Sequence, residues 1–225
     1  MRRTALLAGA SGLVGGHLLK LLLADGGYAR VITLGRRAVA TRHPQLDQRV
    51  VDMDALDTLP DVPGADDAFC CLGTTIKTAG SQQAFRKVDY DYVLAFARAG
   101  QRAGARQFLL VSALGADPGS RIFYSRVKGE TEAAVKQLPY QGVQIFRPSF
   151  LMGDRVEQRL AERIAVPIAR AVTPLLVGPL RRYRPIDAAD VARAMVQIAK
   201  DAPRGPNVFE YDGITAAARS SARSS

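Results

Sequence analysis

Short apolar runs alternate along this chain with longer stretches whose apolar residues recur at helical spacing. Residues 4–8, TALLA, read as a strand, and 13–24, LVGGHLLKLLLA, as the helix after it. Asp25-Gly26-Gly27 ends that helix, with a glycine expected in the left-handed terminal position. RVITLG (30–35), QRVVD (48–52) and DAFCCLG (67–73) predict the next three strands. The last of these is almost continuously apolar, as strands covered on both faces are. A polar loop, TTIKTAGS, precedes one long helix expected from about Gln82 to Ala103. QFLLVSAL (107–114) predicts a fifth strand, and IFYSRVKGETEAAVKQL (122–138) a helix. VQIFRPSF (143–150) predicts a sixth strand stopped by Pro148. Beyond it, RVEQRLAERIAVPIARAV looks helical up to its prolines, and 186–202 reads as an amphipathic helix capped by Asp187. NVFEYDG fits a last strand, and the tail ITAAARSSARSS is low in complexity and expected to be disordered.

Strands alternating with helices imply an α/β fold, a doubly wound parallel sheet with helices on both faces. No repeat or linker divides the chain. Residues 1–212 are therefore expected to form one domain with a small irregular C-terminal substrate portion, and 213–225 a disordered tail.

Composition narrows the function classes. Of 225 residues, 48% are apolar and 23% charged, enough for a sizeable core. No run reaches the roughly 18 apolar residues a membrane span needs; the nearest, IAVPIARAVTPLLVGPL, contains Arg170 and three prolines. The N-terminus runs straight into the first strand, so no separate signal peptide is expected. The two cysteines, Cys70 and Cys71, are neighbours that cannot reach ordinary disulfide geometry without strain, and read as reduced packing residues of a cytoplasmic protein. The net charge of +10 is spread over scattered arginines, with no basic stripe alternating with aromatic residues and no Trp. Nucleic acid is therefore not the expected partner. His17 and His43 have no carboxylate or cysteine cluster beside them in sequence, so no metal is expected.

The chemistry lies in three places. Gly9, Gly12 and Gly15 sit three apart, between the first strand and the first helix. Gly9 permits a tight turn, Gly12 lets the backbone approach a pyrophosphate, and Gly15 lets helix pack on strand. With Ala10, Ser11, Leu13 and Val14 between them, they form the turn expected to cradle a dinucleotide at a helix N-terminus. The second strand ends in Gly35-Arg36-Arg37, with no carboxylate for a ribose 2′-hydroxyl. A guanidinium fork matches a 2′-phosphate instead, so NADP(H) is expected over NAD(H). Asp52 and Met53, after the third strand, are placed near the adenine, and Leu72 and Gly73, after the fourth, near the ribose and pyrophosphate.

Tyr124 and Lys128 lie four apart on a predicted helix, hence on one face, and Ser112 ends the strand before it. A carbonyl being reduced must receive a proton, which a tyrosine hydroxyl can donate. An ordinary phenol, with pKa about 10, yields little phenolate for the reverse reaction, and a lysine ammonium favours that phenolate. Lys128 can also hydrogen-bond the nicotinamide ribose, and Ser112 is expected to donate to the substrate oxygen.

In order and spacing, GASGLVG, LGRR, CCLGTT, VDYDYV, VSALGAD, YSRVKGE and FRPSFLMGDR resemble the atypical short-chain dehydrogenase/reductase family. Within it, they resemble the Tat-interacting-protein-like oxidoreductases. The resemblance runs from about residue 4 to 200 and implies a Rossmann fold, NADPH binding and a catalytic Ser112–Tyr124–Lys128 triad, of which Tyr124 and Lys128 also bind the cofactor. Family members place an asparagine on the long helix after the fourth strand, whereas residues 82–105 here contain none. Several members of the subgroup bind nucleotide and act as regulators. Two functions are thus expected from the resemblance. One is an NADPH-dependent oxidoreductase acting on a small carbonyl or sugar-like substrate, as monomer or homodimer. The other is an NADPH-sensing regulator acting through a protein partner.

Overall fold

The computed structural model describes residues 2–59, 64–152 and 176–223. Its strands are β1 (Arg3–Ala8), β2 (Tyr28–Gly35), β3 (Leu46–Val50), β4 (Asp67–Cys70), β5 (Gln107–Val111), β6 (Gly142–Phe146), β7 (Leu151–Met152), β8 (Ile186–Asp187) and β9 (Gly205–Phe209). Seven of them form one sheet in the order β3-β2-β1-β4-β5-β6-β9, with every pair parallel. β7 and β8 form a separate parallel pair. The helices are α1 (Leu13–Ala24), α2 (Ile76–Ala79), α3 (Gln82–Arg86), α4 (Tyr92–Arg102), α5 (Phe123–Lys136), α6 (Ala188–Asp201) and α7 (Tyr211–Arg223).

The strand alternation explains the layers. Successive side chains of a strand point to opposite faces. Ala5 and Leu7 of β1 therefore join a core with Leu18, Leu22, Val191, Met195 and Ile214, under α1, α6 and α7. Leu6 and Ala8 join a second core with Phe96, Phe108, Val135 and Ile145, under α4 and α5. The strand order reverses at β1, which pairs with β2 on one side and β4 on the other. In such sheets the crevice above the strand ends at that switch point is where ligands bind.

Several expectations change. The strands expected at 67–73, 107–114 and 143–150 leave the ladder at Cys70, Val111 and Phe146. β1 turns away at Gly9, so β4 loses its partner after Ala8↔Cys70. The polar loop after β4 contains the short helix α2, capped by the Thr75 hydroxyl. The single long helix is instead α3, a π-turn at Lys87–Asp91, and α4. Neither Gly26 nor Gly27 has a positive φ; that turn is closed by the Asp25 carboxylate, which accepts the Gly27 N–H at 2.8 Å. Asp187 does cap α6, accepting the Ala189 N–H at 2.8 Å.

Of the tail expected to be disordered, 213–225, residues 213–223 belong to α7 (Tyr211–Arg223). Ile214, Ala217 and Ala218 recur at helical spacing and are buried in the core under α1 and α6. Alanine's small size hid this apolar stripe in a string of Ala, Ser and Arg. The helix expected within RVEQRLAERIAVPIARAV lies outside the described residues.

Candidate functional site

The glycine turn is built as a backbone cradle. Gly9 has φ +82°, a conformation that favours glycine, and a Cβ there would lie 2.4 Å from the carbonyl carbon and oxygen of Cys71. A Cβ on Gly15 would lie 2.1 Å from the Gly9 carbonyl oxygen. These two positions let β1, β4 and α1 meet backbone to backbone. Gly12 is the N-cap of α1 and has no side chain to satisfy the helix's first N–H groups. No acidic residue sits in the first turn. The positive end of the helix dipole is therefore left for an anion.

Above the cradle, a cleft of about 610 Å³, its open mouth included, is lined by Gly9, Ala10, Ser11, Arg36, Arg37, Met53 and Leu72 among others. Sequence residues from four separate loops thus meet in one cleft. Val88 and Tyr92, from the π-turn and α4, close its far wall. Arg36 and Arg37 are exposed and have no ion-pair partner among the described residues. Leu13 lines an adjoining hollow with Gly12, Gly16, His17 and Lys20, whereas the Val14 side chain is buried in the core. Asp52 is not among the residues lining the cleft. Its carboxylate accepts the Asp54 N–H at 2.9 Å and caps a 3₁₀ turn over Met53–Thr58.

A second cluster lies on α5. Tyr124, in its first turn, is half-buried, its ring centroid 5.3 Å from that of Phe85. One turn on, Lys128 is buried, and its ammonium lies 2.7 Å from Asp89 Oδ1. Asp89, in the π-turn, is 0% exposed, and its Oδ2 accepts the Thr74 N–H at 2.9 Å. Burial works against the lysine's charge, yet its pKa is raised, because the Asp89 carboxylate and the Tyr124 phenol outweigh desolvation. Gly73 sits beside the pair: a Cβ there would be 3.4 Å from Asp89 Oδ1 and 3.6 Å from Lys128 Nζ.

Ser112 follows β5, and its N–H donates to the Phe146 carbonyl at 2.7 Å. Its hydroxyl is committed elsewhere than to open space, donating to Glu132 Oε1 at 2.6 Å. Glu132 is buried and also accepts two bonds from Arg147, at 2.9 and 2.6 Å. A hydroxyl holding this bond has no proton left for a substrate oxygen.

Asp89, Glu132 and Arg147 were not foreseen as site residues. Glu132 had a signal: Tyr124, Lys128 and Glu132 follow at four-residue intervals, so they share one helix face. Asp89 had none, since the π-turn that turns it inward leaves no mark in the apolar pattern. Among the described residues, no group of three or more His, Cys, Asp or Glu is placed to hold a metal. No helix among them is long and apolar enough to cross a membrane.

The cradle, the cleft over the switch point and the charged lysine fit a nicotinamide dinucleotide, and comparisons with known proteins point the same way. Residues 9–158 match the profile of a family described as NAD(P)H-binding. Protein HTATIP2 of Rattus norvegicus is 40% identical over 167 residues, covering 72% of this chain and 69% of that protein. The mitochondrial protein FMP52 of Coccidioides immitis is 33% identical over 215 residues, covering 90% of this chain and 87% of that protein. A UDP-N-acetylglucosamine 4-epimerase from Methanobrevibacter ruminantium superposes with TM-score 0.68 at 13% identity, covering 93% of this chain and 76% of that one. A short chain dehydrogenase family protein from Francisella tularensis does so with TM-score 0.64 at 16% identity, covering 93% and 97%. At such identities the two structures speak for the fold alone.

Proposed function

The chain belongs to the NAD(P)H-binding atypical short-chain dehydrogenase/reductase family, and on that footing we propose that it is an NADPH-dependent oxidoreductase acting on a small carbonyl or sugar-like substrate. When bound, the nucleotide supplies the hydride. Gly9 to Gly15 and the start of α1 hold its diphosphate, Met53 and Leu72 flank its adenosine half, Gly73 lies further along, beside Lys128, and Arg36 and Arg37 hold the 2′-phosphate. Tyr124 donates its hydroxyl proton to the substrate oxygen, and the Lys128 ammonium holds the resulting phenolate by its charge. Asp52 enters only as the cap that fixes the Met53 turn beside the cleft. Ser112 acts through Glu132, tying α5 to the ends of β5 and β6 so that Tyr124 keeps its place. The free Cys70 and Cys71 thiols, one buried and one partly buried, suit a reducing compartment such as the cytoplasm.

The observation that carries this reading is a buried lysine kept charged one helical turn from a half-exposed tyrosine. The test is NADPH consumption, followed by absorbance, across a panel of small aldehydes, ketones and keto-sugars. Tyr124→Phe is expected to lower turnover by about 10²- to 10⁴-fold while leaving NADPH binding by calorimetry nearly unchanged. Full turnover in that variant would remove the tyrosine from the mechanism.

One observation favours a second reading. With its proton held by Glu132, Ser112 is not free to polarise a substrate carbonyl. That suits an NADPH-sensing protein that acts through a protein partner. Tight NADPH binding with no turnover on any compound of the panel would select it.

A further inference from the structure

We propose that Asp89 is a positioning residue: in a chain lacking asparagine on its long helical segment, its carboxylate keeps the Lys128 ammonium charged and fixed beside Tyr124 and the nucleotide cradle. The inference rests on reading Tyr124 and Lys128 as the working pair. It goes further in assigning a carboxylate to hold them.

Asp89 makes contacts with three parts of the site at once. Its Oδ2 takes the Thr74 N–H, from the loop after β4 that also carries Leu72 into the cleft. Its backbone carbonyl oxygen lies 2.8 Å from the Thr131 hydroxyl of α5. Its Oδ1 has no hydrogen-bond partner among the described residues apart from the ammonium of Lys128, 2.7 Å away. The residue is brought there by the π-turn, where the Tyr92 N–H reaches back five residues to the Lys87 carbonyl. Such one-turn bulges in α-helices occur often at functional sites because they re-aim a side chain.

The physical need is specific. An ammonium in a site only 6% exposed would ordinarily shed its proton, since burial disfavours the charged form. A neutral amine cannot hold a phenolate. A carboxylate in contact reverses that balance and uses only one of the ammonium's three N–H donors. Two donors remain for the Tyr124 oxygen and a ribose hydroxyl. The charged and titratable neighbours of Lys128 are Asp89 from the π-turn, Tyr124 from its own helix and Cys70 from β4. Of these, only Asp89 is a carboxylic acid side chain. A buried ion pair is also no general source of stability, because a well-packed apolar pair of similar volume does as well. Its presence here is accounted for by what the charge does to Tyr124.

The test reads the proton on Lys128 without requiring turnover. The chain has six lysines, Lys20, Lys77, Lys87, Lys128, Lys136 and Lys200, so ¹³Cε-lysine NMR gives few signals, and Lys128→Met assigns the one of interest. In the full-length wild-type protein this signal is expected to stay in its charged position above the ordinary lysine range, or to the highest pH at which the fold persists. Asp89→Asn keeps the shape but removes the charge, and is expected to bring the Lys128 midpoint below the ordinary lysine value. NADPH affinity of that variant, by calorimetry, is expected to fall about tenfold across the same pH range in which Lys128 loses its proton, where the wild type stays flat. An unchanged midpoint in Asp89→Asn overturns the inference. So does a wild-type Lys128 that titrates below ordinary lysine, a result that decides the matter even if the variant does not fold. Full carbonyl reduction by Tyr124→Phe, with the Lys128 midpoint still governed by Asp89, would instead sink the role given to Tyr124 and leave Asp89 as the holder of the charge.

Discussion

Gly15 and Gly16 are adjacent on α1, and the structure gives them opposite responses to a single methyl group. A Cβ on Gly16 would meet only the Ala10 carbonyl oxygen, at 3.7 Å, an ordinary contact. Gly16→Ala therefore gains helix propensity, about 0.5–1 kcal/mol. A chain of this size shifts its melting temperature by about 2–4 °C per kcal/mol, so a rise of roughly 1–4 °C is expected. A Cβ on Gly15 would lie 2.1 Å from the Gly9 oxygen, 2.7 Å from the Gly9 carbonyl carbon and 3.1 Å from Ala10 Cα. All three are backbone atoms and cannot rotate aside, so the turn itself must move by more than an ångström. Gly9 cannot yield easily, being held at φ +82° against the Cys71 backbone. Overpacking of this kind costs about 1–3 kcal/mol, and the propensity gain offsets only part of it. Gly15→Ala is thus expected to melt roughly 1–8 °C below the wild type. It is also expected to bind NADPH about 10- to 100-fold more weakly, since the N–H groups that face the diphosphate sit on the displaced turn. Thermal denaturation and calorimetry on the two variants side by side make the check. If Gly15→Ala matched the wild type in both, or Gly16→Ala lost as much as Gly15→Ala, the close-packed cradle would be wrong.

Arg36→Ala with Arg37→Ala is expected to abolish a preference for NADPH over NADH of roughly 10- to 100-fold, since charge-assisted hydrogen bonds at exposed sites lie at the low end of about 1.5–3 kcal/mol. Equal affinities of the two nucleotides for the unaltered protein, measured by calorimetry, would contradict it. Burial pushes the Cys70 thiol up to about 12, and Cys71 is raised for the same reason. Maleimide at neutral pH is therefore expected to modify neither cysteine in the native protein and both once it is denatured; rapid native labelling, scored by mass spectrometry, would count against this. Asp67 is buried, and desolvation raises its pKa despite the opposing charge of Arg3 and the hydrogen bond from Tyr28. A carboxyl that holds its proton more tightly when folded makes the fold less stable as pH rises from about 4 through its folded value. Urea denaturation between pH 4 and 7 should show that slope in the wild type and a shallower one in Asp67→Asn; a difference between the two that does not vary with pH would refute the assignment.

What the sequence determined by itself is what short-range physics encodes. Alternating apolar runs give the βαβ order, because a strand buried on both faces and an amphipathic helix leave different periods. Three glycines at the junction of β1 and α1 mark the cradle, since few residues other than glycine tolerate the φ of Gly9 or the close contact at Gly15. Four-residue spacing puts Tyr124 and Lys128 on one face. Tertiary structure decided the rest, because it depends on atoms distant in sequence. Whether Gly15 or Gly16 is irreplaceable turns on where the Gly9 carbonyl ends up. The partner of Lys128 is a carboxylate delivered by a π-turn, and the proton of Ser112 goes to a glutamate already gripped by Arg147. The tail folds because α6 and the sheet edge at β9 offer it a surface on which Ile214 and its alanines can be buried. No local pattern holds that information: a buried charge is satisfied by whatever the fold brings within hydrogen-bond reach, and that is known only once the chain has closed on itself.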